Sequence, residues 1–315
     1  MGRIEGMPQT DRAPKIAILM ATYNGGSFLS TQIESVLAQR RVDIRLVIAD
    51  DGSTDGTAEY VKTLAERDPR VTLITAGSGG SAPKNFMRLA LHADLRDAEA
   101  VGFVDQDDIW LADKLDQQWQ LLQQHEAVSS DVLAMFPDRD PVPLVKSQPQ
   151  RRFDFLFESA GPGCTFLLHR DAFDRITDAV RAHPSLSDIA AHDWLFYAAA
   201  RVLGISWHIS DVPTMMYRQH SENVTGANMG VAPRAKRFKQ LTNGDFRAQC
   251  AVVGRIAVDI AADDYDDSEL LVNLTGALER QHMGANWLLS KHAGEFRRRA
   301  RDRRILRSLI ATGLF

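Results

Sequence analysis

The stretch VGFVDQDDIW, residues 101–110, decides how the chain is read. Its apolar run, Val101 to Val104, stops abruptly at Asp105, Gln106, Asp107 and Asp108. An unbroken apolar run of this length reads as a strand buried on both faces. Three carboxylates crowded at its end repel one another, and a turn gains nothing from having three. Asp105 and Asp107 are spaced to offer carboxylate oxygens to one hard divalent cation, Mg²⁺ or Mn²⁺. Such ions prefer oxygen ligands and keep positions open for phosphate and water. The plainer alternative is a solvated acidic turn with Asp108 capping the next helix, and for an arbitrary D-x-D it is the better reading. The neighbouring strands tip the balance.

Upstream, KIAILMATYNGG (15–26) is a short apolar strand, Ile16 to Met20, broken at Asn24-Gly25-Gly26, and a helix-like spacing of Phe28, Ile33, Val36 and Leu37 follows. RLVIADDGSTDGT (45–57) repeats the design, with Thr54 or Asp55 as the expected cap of the helix TAEYVKTLAER. VTLITAG (71–77) is a third strand and AVGFVDQDD a fourth, with a loop and helix, SGGSAPKNFMRLALHA, between them. Strands alternating with helices predict an α/β fold with a mostly parallel central sheet flanked by helices. Ligands of such sheets sit beyond the carboxyl ends of the strands, where ATYN, ADDGS and DQDD all fall. After Leu115 the pattern is less regular. QWQLLQQH is helical, and FPDRDPVPLVKSQPQRR (136–152) is expected to be a mobile loop. GPGCTFLLHRDAF reads as turn, strand and helix, HDWLFYAAARVLG as a helix ended by Gly204, and ISWHISDVPTMMYRQHSENVTG as a strand pair. From about residue 231 the pattern is helical.

The totals fit an ordinary globular protein: 315 residues, 44% hydrophobic, 25% charged, net charge −4. That charge gives no reason to expect nucleic acid as a partner. Two cysteines, Cys164 and Cys250, imply no disulfide framework and suit a reducing, cytoplasmic setting. No uncharged apolar run approaches the roughly 20 residues of a membrane span. Residues 1–14 lack the apolar core of a secretory signal and read as a disordered leader.

Two strand ends suggest a nucleotide. Asp50 and Asp51 can accept hydrogen bonds from a base N–H or from ribose hydroxyls, and Gly52 admits a close backbone approach. Tyr23 can stack on a base. Each has a purely structural alternative: a helix-capping Asp-Gly turn, and an aromatic used in packing.

KIAILMATYNGGSFLSTQIESVLAQ, RLVIADDGSTDGT and VGFVDQDDIWLADKL together resemble the nucleotide-sugar-binding half of family-2 glycosyltransferases of the GT-A fold. DQDDIW followed by a Lys, then HDW and YRQHSENVTG, is most similar to bacterial rhamnosyltransferase-like members. The resemblance runs from about Lys15 to Gly226. It implies a GT-A domain over 15–230, divided into a donor-binding half (15–114) and an acceptor and catalytic half (115–230), with a helical extension over 231–315. It implies that Thr22 and Tyr23 line the base and ribose pocket and that Asp51, with Asp50 beside it, reads the pyrimidine of a dTDP- or UDP-linked sugar. Asp105 would face the ribose or a metal-bound water, Asp107 would bind the metal, and Lys84 would lie near the nucleotide. It implies, too, an inverting transfer to a glycan or lipid-linked glycan in bacterial surface polysaccharide synthesis.

A sugar hydroxyl is a poor nucleophile and needs a base. Asp193 is the candidate. It opens an apolar helix whose N-terminal amides are expected to favour its charged form, with Trp194 as a wall for a sugar ring or, alternatively, a core residue. The resemblance makes Asp193 the general base. It also makes His220 a third metal ligand or a partner of the leaving diphosphate, with Arg218 supplying fixed positive charge. Cys164 is expected to be a packing residue. Between Lys291 and Phe315, eight Lys or Arg stand against two acids, with Phe296, Ile305, Leu306, Leu309, Ile310, Leu314 and Phe315 beside them. This predicts a basic amphipathic segment lying on the anionic inner membrane face, or else a solvated helix or one packed on a partner subunit. Two other activities compete. A phosphoryl-transfer enzyme also ends a strand in D-x-D but leaves ADDGSTDGT unexplained, and a catalytically silent nucleotide-sugar binder leaves Asp107, Asp193 and His220 without a purpose. Neither ATYNGG nor GSGGSA supplies the G-x-G-x-x-G of a dehydrogenase.

Overall fold

The computed structural model describes residues 12–74, 79–219, 241–280 and 282–315. Its centre is a seven-stranded sheet in the order β10-β6-β9-β4-β1-β2-β3. The strands are β1 (Lys15–Thr22), β2 (Asp43–Asp50), β3 (Val71–Ile74), β4 (Ala100–Val104), β6 (Ala127–Ser130), β9 (Leu167–His169) and β10 (Trp207–Ser210). All run parallel except β9, which lies antiparallel between β4 and β6. β1 is buried along its whole length after Lys15, as its apolar run requires. Its alternate side chains enter two cores: Ile16, Ile18 and Met20 pack with Ile33, Val36 and Leu115, while Ala17, Leu19 and Ala21 pack with Phe86, Phe103 and Phe196. Register does the rest. Thr22 pairs with Asp50 and Met20 with Val104, so three polar strand ends finish side by side.

The helices α1 (Leu29–Leu37), α2 (Thr57–Arg67), α3 (Ala82–His92), α4 (Lys114–Leu122), α5 (Arg170–Val180) and α6 (His192–Val202) cover the sheet. α2 spans the expected TAEYVKTLAER, but neither Thr54 nor Asp55 is its N-cap. Gly56, at φ +92°, precedes its first residue, and the Asp55 carboxylate accepts the Thr57 amide at 3.1 Å. α4 is preceded by Asp113, so Asp108 caps nothing.

A second sheet, in the order β5-β11-β7-β8, corrects two expectations. It joins β5 (Ile109–Trp110), β7 (Val132–Phe136), β8 (Arg139–Leu144) and β11 (Met215–Arg218). The segment expected to be a mobile loop contains β8, paired antiparallel with β7. Its prolines are compatible with this because β8 is an edge strand, where a missing N–H costs no ladder bond. The expected strand pair after Gly204 is split instead, β10 joining the large sheet and β11 the small one.

Beyond residue 240 come α7 (Asp245–Ile260), α8 (Ser268–Glu279), α9 (Met283–His292) and α10 (Ala300–Ala311). They extend the core that lies against α3 and α6. The reading of residues 291–315 as a membrane-facing segment is corrected here. Of its seven apolar residues, Phe296, Leu306, Leu309, Ile310 and Phe315 are buried inside this protein, and Phe296 stacks on Phe157 at 4.2 Å. Only Ile305 and Leu314 are exposed. The buried Arg247 fastens the end of the chain, donating to the carbonyls of Ala277, Leu278, Arg280 and Phe315. Among the described residues no helix is long and apolar enough to cross a membrane.

Candidate active site

The first two strand ends lock together through their loops. Asn24, in the left-handed region at φ +47°, accepts the Thr54 amide on its side-chain oxygen at 2.9 Å, and its own amide donates to Ser53 Oγ at 2.8 Å. The Gly25 and Gly26 amides donate to Thr57 Oγ1 and Asp55 Oδ2, each at 2.9 Å. Gln106, which the sequence did not single out, ties the acidic loop to this pair. Its side-chain amide accepts from the Tyr23 N–H at 2.9 Å and donates to the Tyr23 carbonyl at 3.0 Å. The Tyr23 ring stays 57% exposed, which leaves its face open to stacking.

Asp50 is more committed than expected. Its carboxylate accepts from Thr22 Oγ1 at 3.0 Å, Ser53 Oγ at 2.6 Å and the Gly52 and Ser53 amides, using both oxygens to shape the turn. Asp51 accepts the amides of Gly79 and Gly80, which brings the loop before α3 to the strand ends. Lys84 is exposed and lines a cavity of about 340 Å³ with Met87, Arg88, Leu91, Leu186 and Ile189. One turn further along α3, Arg88 reaches the strand ends, donating to the Asp50 carbonyl at 3.0 Å.

The acidic loop folds inward. Asp108 is wholly buried, and its Oδ1 accepts the Arg218 amide at 3.0 Å. Arg218 also donates from Nε to the Asp107 carbonyl at 2.7 Å and sets its guanidinium over the Phe28 ring, which holds its side chain beside the acidic loop. Burial, then the charge of Asp107, pushes Asp105 up to about 7, and Asp108 is raised by burial and by both neighbours. The donor atoms that converge are those of Asp105, Asp108 and Cys164, which lie within 4.8 Å of one another. Asp108 thus stands beside Asp105, and Asp107 is close enough for its charge to raise both. Cys164 is buried as expected, but its thiol, raised well above its ordinary value by burial, abuts the acids. Three acids close together, with Asp105 raised first by burial and then by the Asp107 charge, fit a hard divalent cation, which would offset their mutual repulsion. A neutral thiol adds little to such a site. His220 lies outside the described residues.

Asp193 sits in the first turn of α6 and accepts the Trp194 amide at 2.6 Å and an amide hydrogen bond from Gly163. The helix-end amides were expected to dominate. Burial outweighs them, and Asp193 is pushed up to about 6. Its charge in turn raises Asp105, so the two carboxylates share one site. Trp194 takes the core alternative: its indole N–H donates to the Phe155 carbonyl at 2.7 Å, and its ring stacks on Phe246. His192, another residue the sequence did not single out, lies beneath the base. It stacks on Phe86 at 3.9 Å and is held neutral by burial, which lowers its pKa to about 3. A Cβ on Gly163 would fall 2.5 Å from His192 Nε2 and 3.2 Å from Asp193 Cβ, so only glycine fits against the base. The one sequence signal for this was the Gly in GPGCTF.

The profile of "Glycosyl transferase family 2" matches residues 17–177. The dTDP-rhamnosyl transferase RfbG of Shigella flexneri is 36% identical over 256 residues, covering 80% of this chain and 88% of that protein. S. aureus TarS 1–349, solved in complex with UDP, superposes with a TM-score of 0.58 at 14% identity over 95% of this chain and 86% of that one. The mannosyltransferase PcManGT from Pyrobaculum calidifontis, solved with GDP-Man and Mn²⁺, gives a TM-score of 0.50 at 16% identity over 96% and 86%. With the profile spanning half its length and a relative aligned along four-fifths of it, this chain belongs to glycosyl transferase family 2 and is a glycosyltransferase of the GT-A fold.

Proposed function

We propose that this enzyme moves a rhamnosyl group from a dTDP- or UDP-linked donor to a hydroxyl of a glycan or lipid-linked glycan in bacterial surface polysaccharide synthesis, inverting the anomeric centre. Asp193 carries the reading. It is a carboxylate with a pKa of about 6, fixed by two amides and close enough to the acidic strand end for the two charges to interact. A base poised near neutrality is what a hydroxyl nucleophile requires. The likeness to RfbG supports rhamnose as the sugar and dTDP as the carrier.

Tyr23 stacks on the base of the donor, Thr22 borders the ribose, and Asp51 accepts from the pyrimidine, while Asp50 holds the turn that presents them. Asp105, Asp107 and Asp108 are the residues that would hold Mg²⁺ or Mn²⁺, with His220 as a further ligand. Such a cation would stabilise negative charge on the departing nucleoside diphosphate. Arg218 adds a fixed cation beside it. Asp193 accepts the acceptor hydroxyl proton as that oxygen attacks the anomeric carbon from the face opposite the leaving group. Incubation with a panel of nucleotide sugars and a divalent cation, read as nucleoside diphosphate release, tests the donor. The product's anomeric proton in NMR tests inversion, and retention would sink both the displacement and the role of Asp193.

Peripheral contact with an anionic membrane, read from the sequence at residues 291–315, is better supported on the outer side of α9. Met283 and Trp287, 89% and 67% exposed, lie one turn apart, and the Lys291 ammonium sits over the Trp287 ring. An exposed Trp beside a Lys suits the headgroup region of a bilayer.

A further inference from the structure

Just past β8, the chain presents a cation to the side of the base. Asp131, itself buried, accepts the amides of Lys146 and Ser147 on Oδ1 at 2.6 and 2.9 Å, and Ser147 Oγ on Oδ2 at 3.1 Å. The backbone at Lys146 is thereby fixed. From there the Lys146 side chain runs along Gly161, its Cγ 3.7 Å from where a Cβ would stand. This is the loop whose Gly163 amide bonds to Asp193, and the Lys146 charge acts on that carboxylate.

The C-terminal segment closes over the same place. Arg299 donates to the Val145 carbonyl, and Arg297 and Arg298 flank it. Those two are neutralised: both lie near Glu158, at 3.7 and 3.8 Å, and Arg298 also pairs with the buried Asp154 at 3.3 Å. Lys146 and Arg299 are not. Among the described residues neither forms an ion pair, and the Lys146 ammonium has no hydrogen-bond partner. The groups that face Lys146 are Glu158, Asp193 and the three arginines. Burial first, and then the arginines, lower it to about 8, with Glu158 opposing. Lys146 is half-buried and Arg299 exposed, and no acid lies within ion-pair distance of either among the described residues, so an anionic ligand reaching both could supply the counter-charge.

We propose that Lys146 and Arg299 form an anion subsite beside the base, which binds an acidic group, phosphate or carboxylate, carried by the acceptor glycan. The proposal rests on the reading of Asp193 as the base on the acceptor side. Holding the acceptor by its charged group orients the attacking hydroxyl, where a fraction of an ångström matters. It also gives the basic C-terminal segment a role at the active site.

The test is calorimetry on the full chain saturated with dTDP or UDP and Mn²⁺, so that the donor site is filled, using inorganic phosphate and free glucuronate as probes. The expected result is that at least one anion binds, that Lys146→Met weakens it at least tenfold, and that Lys146→Arg largely restores it. Arg299→Ala, at an exposed position, should weaken it several-fold, and nucleotide affinity should stay within twofold in every variant. Tighter phosphate binding would indicate a phosphorylated or diphosphate-linked acceptor, and tighter glucuronate binding an acidic sugar. Normal nucleotide binding with neither anion bound, or with Lys146→Met binding as tightly as the wild type, would overturn the subsite alone. Failure of the wild type to bind any nucleotide would overturn the donor-site reading and the subsite with it.

Discussion

The pKa of Asp193 makes a quantitative demand on the rate. Burial places it at about 6, and only the ionised form can take a proton. About one-tenth of the enzyme is then active at pH 5 and about nine-tenths at pH 7, so kcat/KM for the acceptor should rise roughly tenfold between them and level off above. The direction follows from the shift: a raised carboxylate loses its basic form as pH falls through 6, earlier than an exposed Asp would. The measurement should be made at saturating donor and divalent cation, with Asp105 already engaged. Asp193→Asn preserves the shape and the Trp194 contact but cannot accept a proton. Its rate should fall on the order of 10²-fold or more, and what remains should lack the acidic limb. Donor binding should be unchanged. A flat wild-type profile from pH 5 to 7, or an Asn variant that keeps the limb, would refute Asp193 as the base.

Three further outcomes follow from the geometry. Gly163→Ala places a methyl within 2.5 Å of His192 Nε2, so His192 and Asp193 must move; turnover should drop on the order of 10²-fold with nucleotide binding intact, and a near-native rate would show that the base is not so tightly held. Asp107→Ala should abolish transfer and cation-dependent nucleotide binding while leaving the circular dichroism spectrum unchanged, and unaltered turnover would remove its metal role. Met283→Ser together with Trp287→Ser should release the protein from vesicles containing anionic lipid, in co-sedimentation at low salt. Equal binding by the double variant would leave α9 without that role.

Much of the donor side was legible in the order of residues. The apolar runs at Ile16, Leu46 and Val101 are short, continuous and bounded by turn residues, as strands buried on both faces are, and each ends in polar residues. A parallel sheet points such ends the same way, and the order β4-β1-β2 with its register then sets Thr22, Asp50 and Asp105 side by side. Residues 136–152 were misread because prolines and charges mimic a loop, whereas an edge strand needs only half its backbone groups paired. Gln106 and His192 carried no signal, since one is a lone amide among acids and the other a lone histidine on an apolar helix.

The sequence by itself determined the α/β fold, the acidic strand ends and the identity of Asp193 as a candidate base, because strand period and the run of motifs are local properties of the chain. Tertiary structure alone decided which way each carboxylate behaves. Helix-end amides favour the ionised form of Asp193, yet burial against residues distant in sequence outweighs them and sets it near 6. The same holds for the basic tail. Its amphipathic pattern is equally suited to a membrane or to a protein core, and the choice went to the core because Phe157, α7 and α8 present an apolar surface that no local pattern announces.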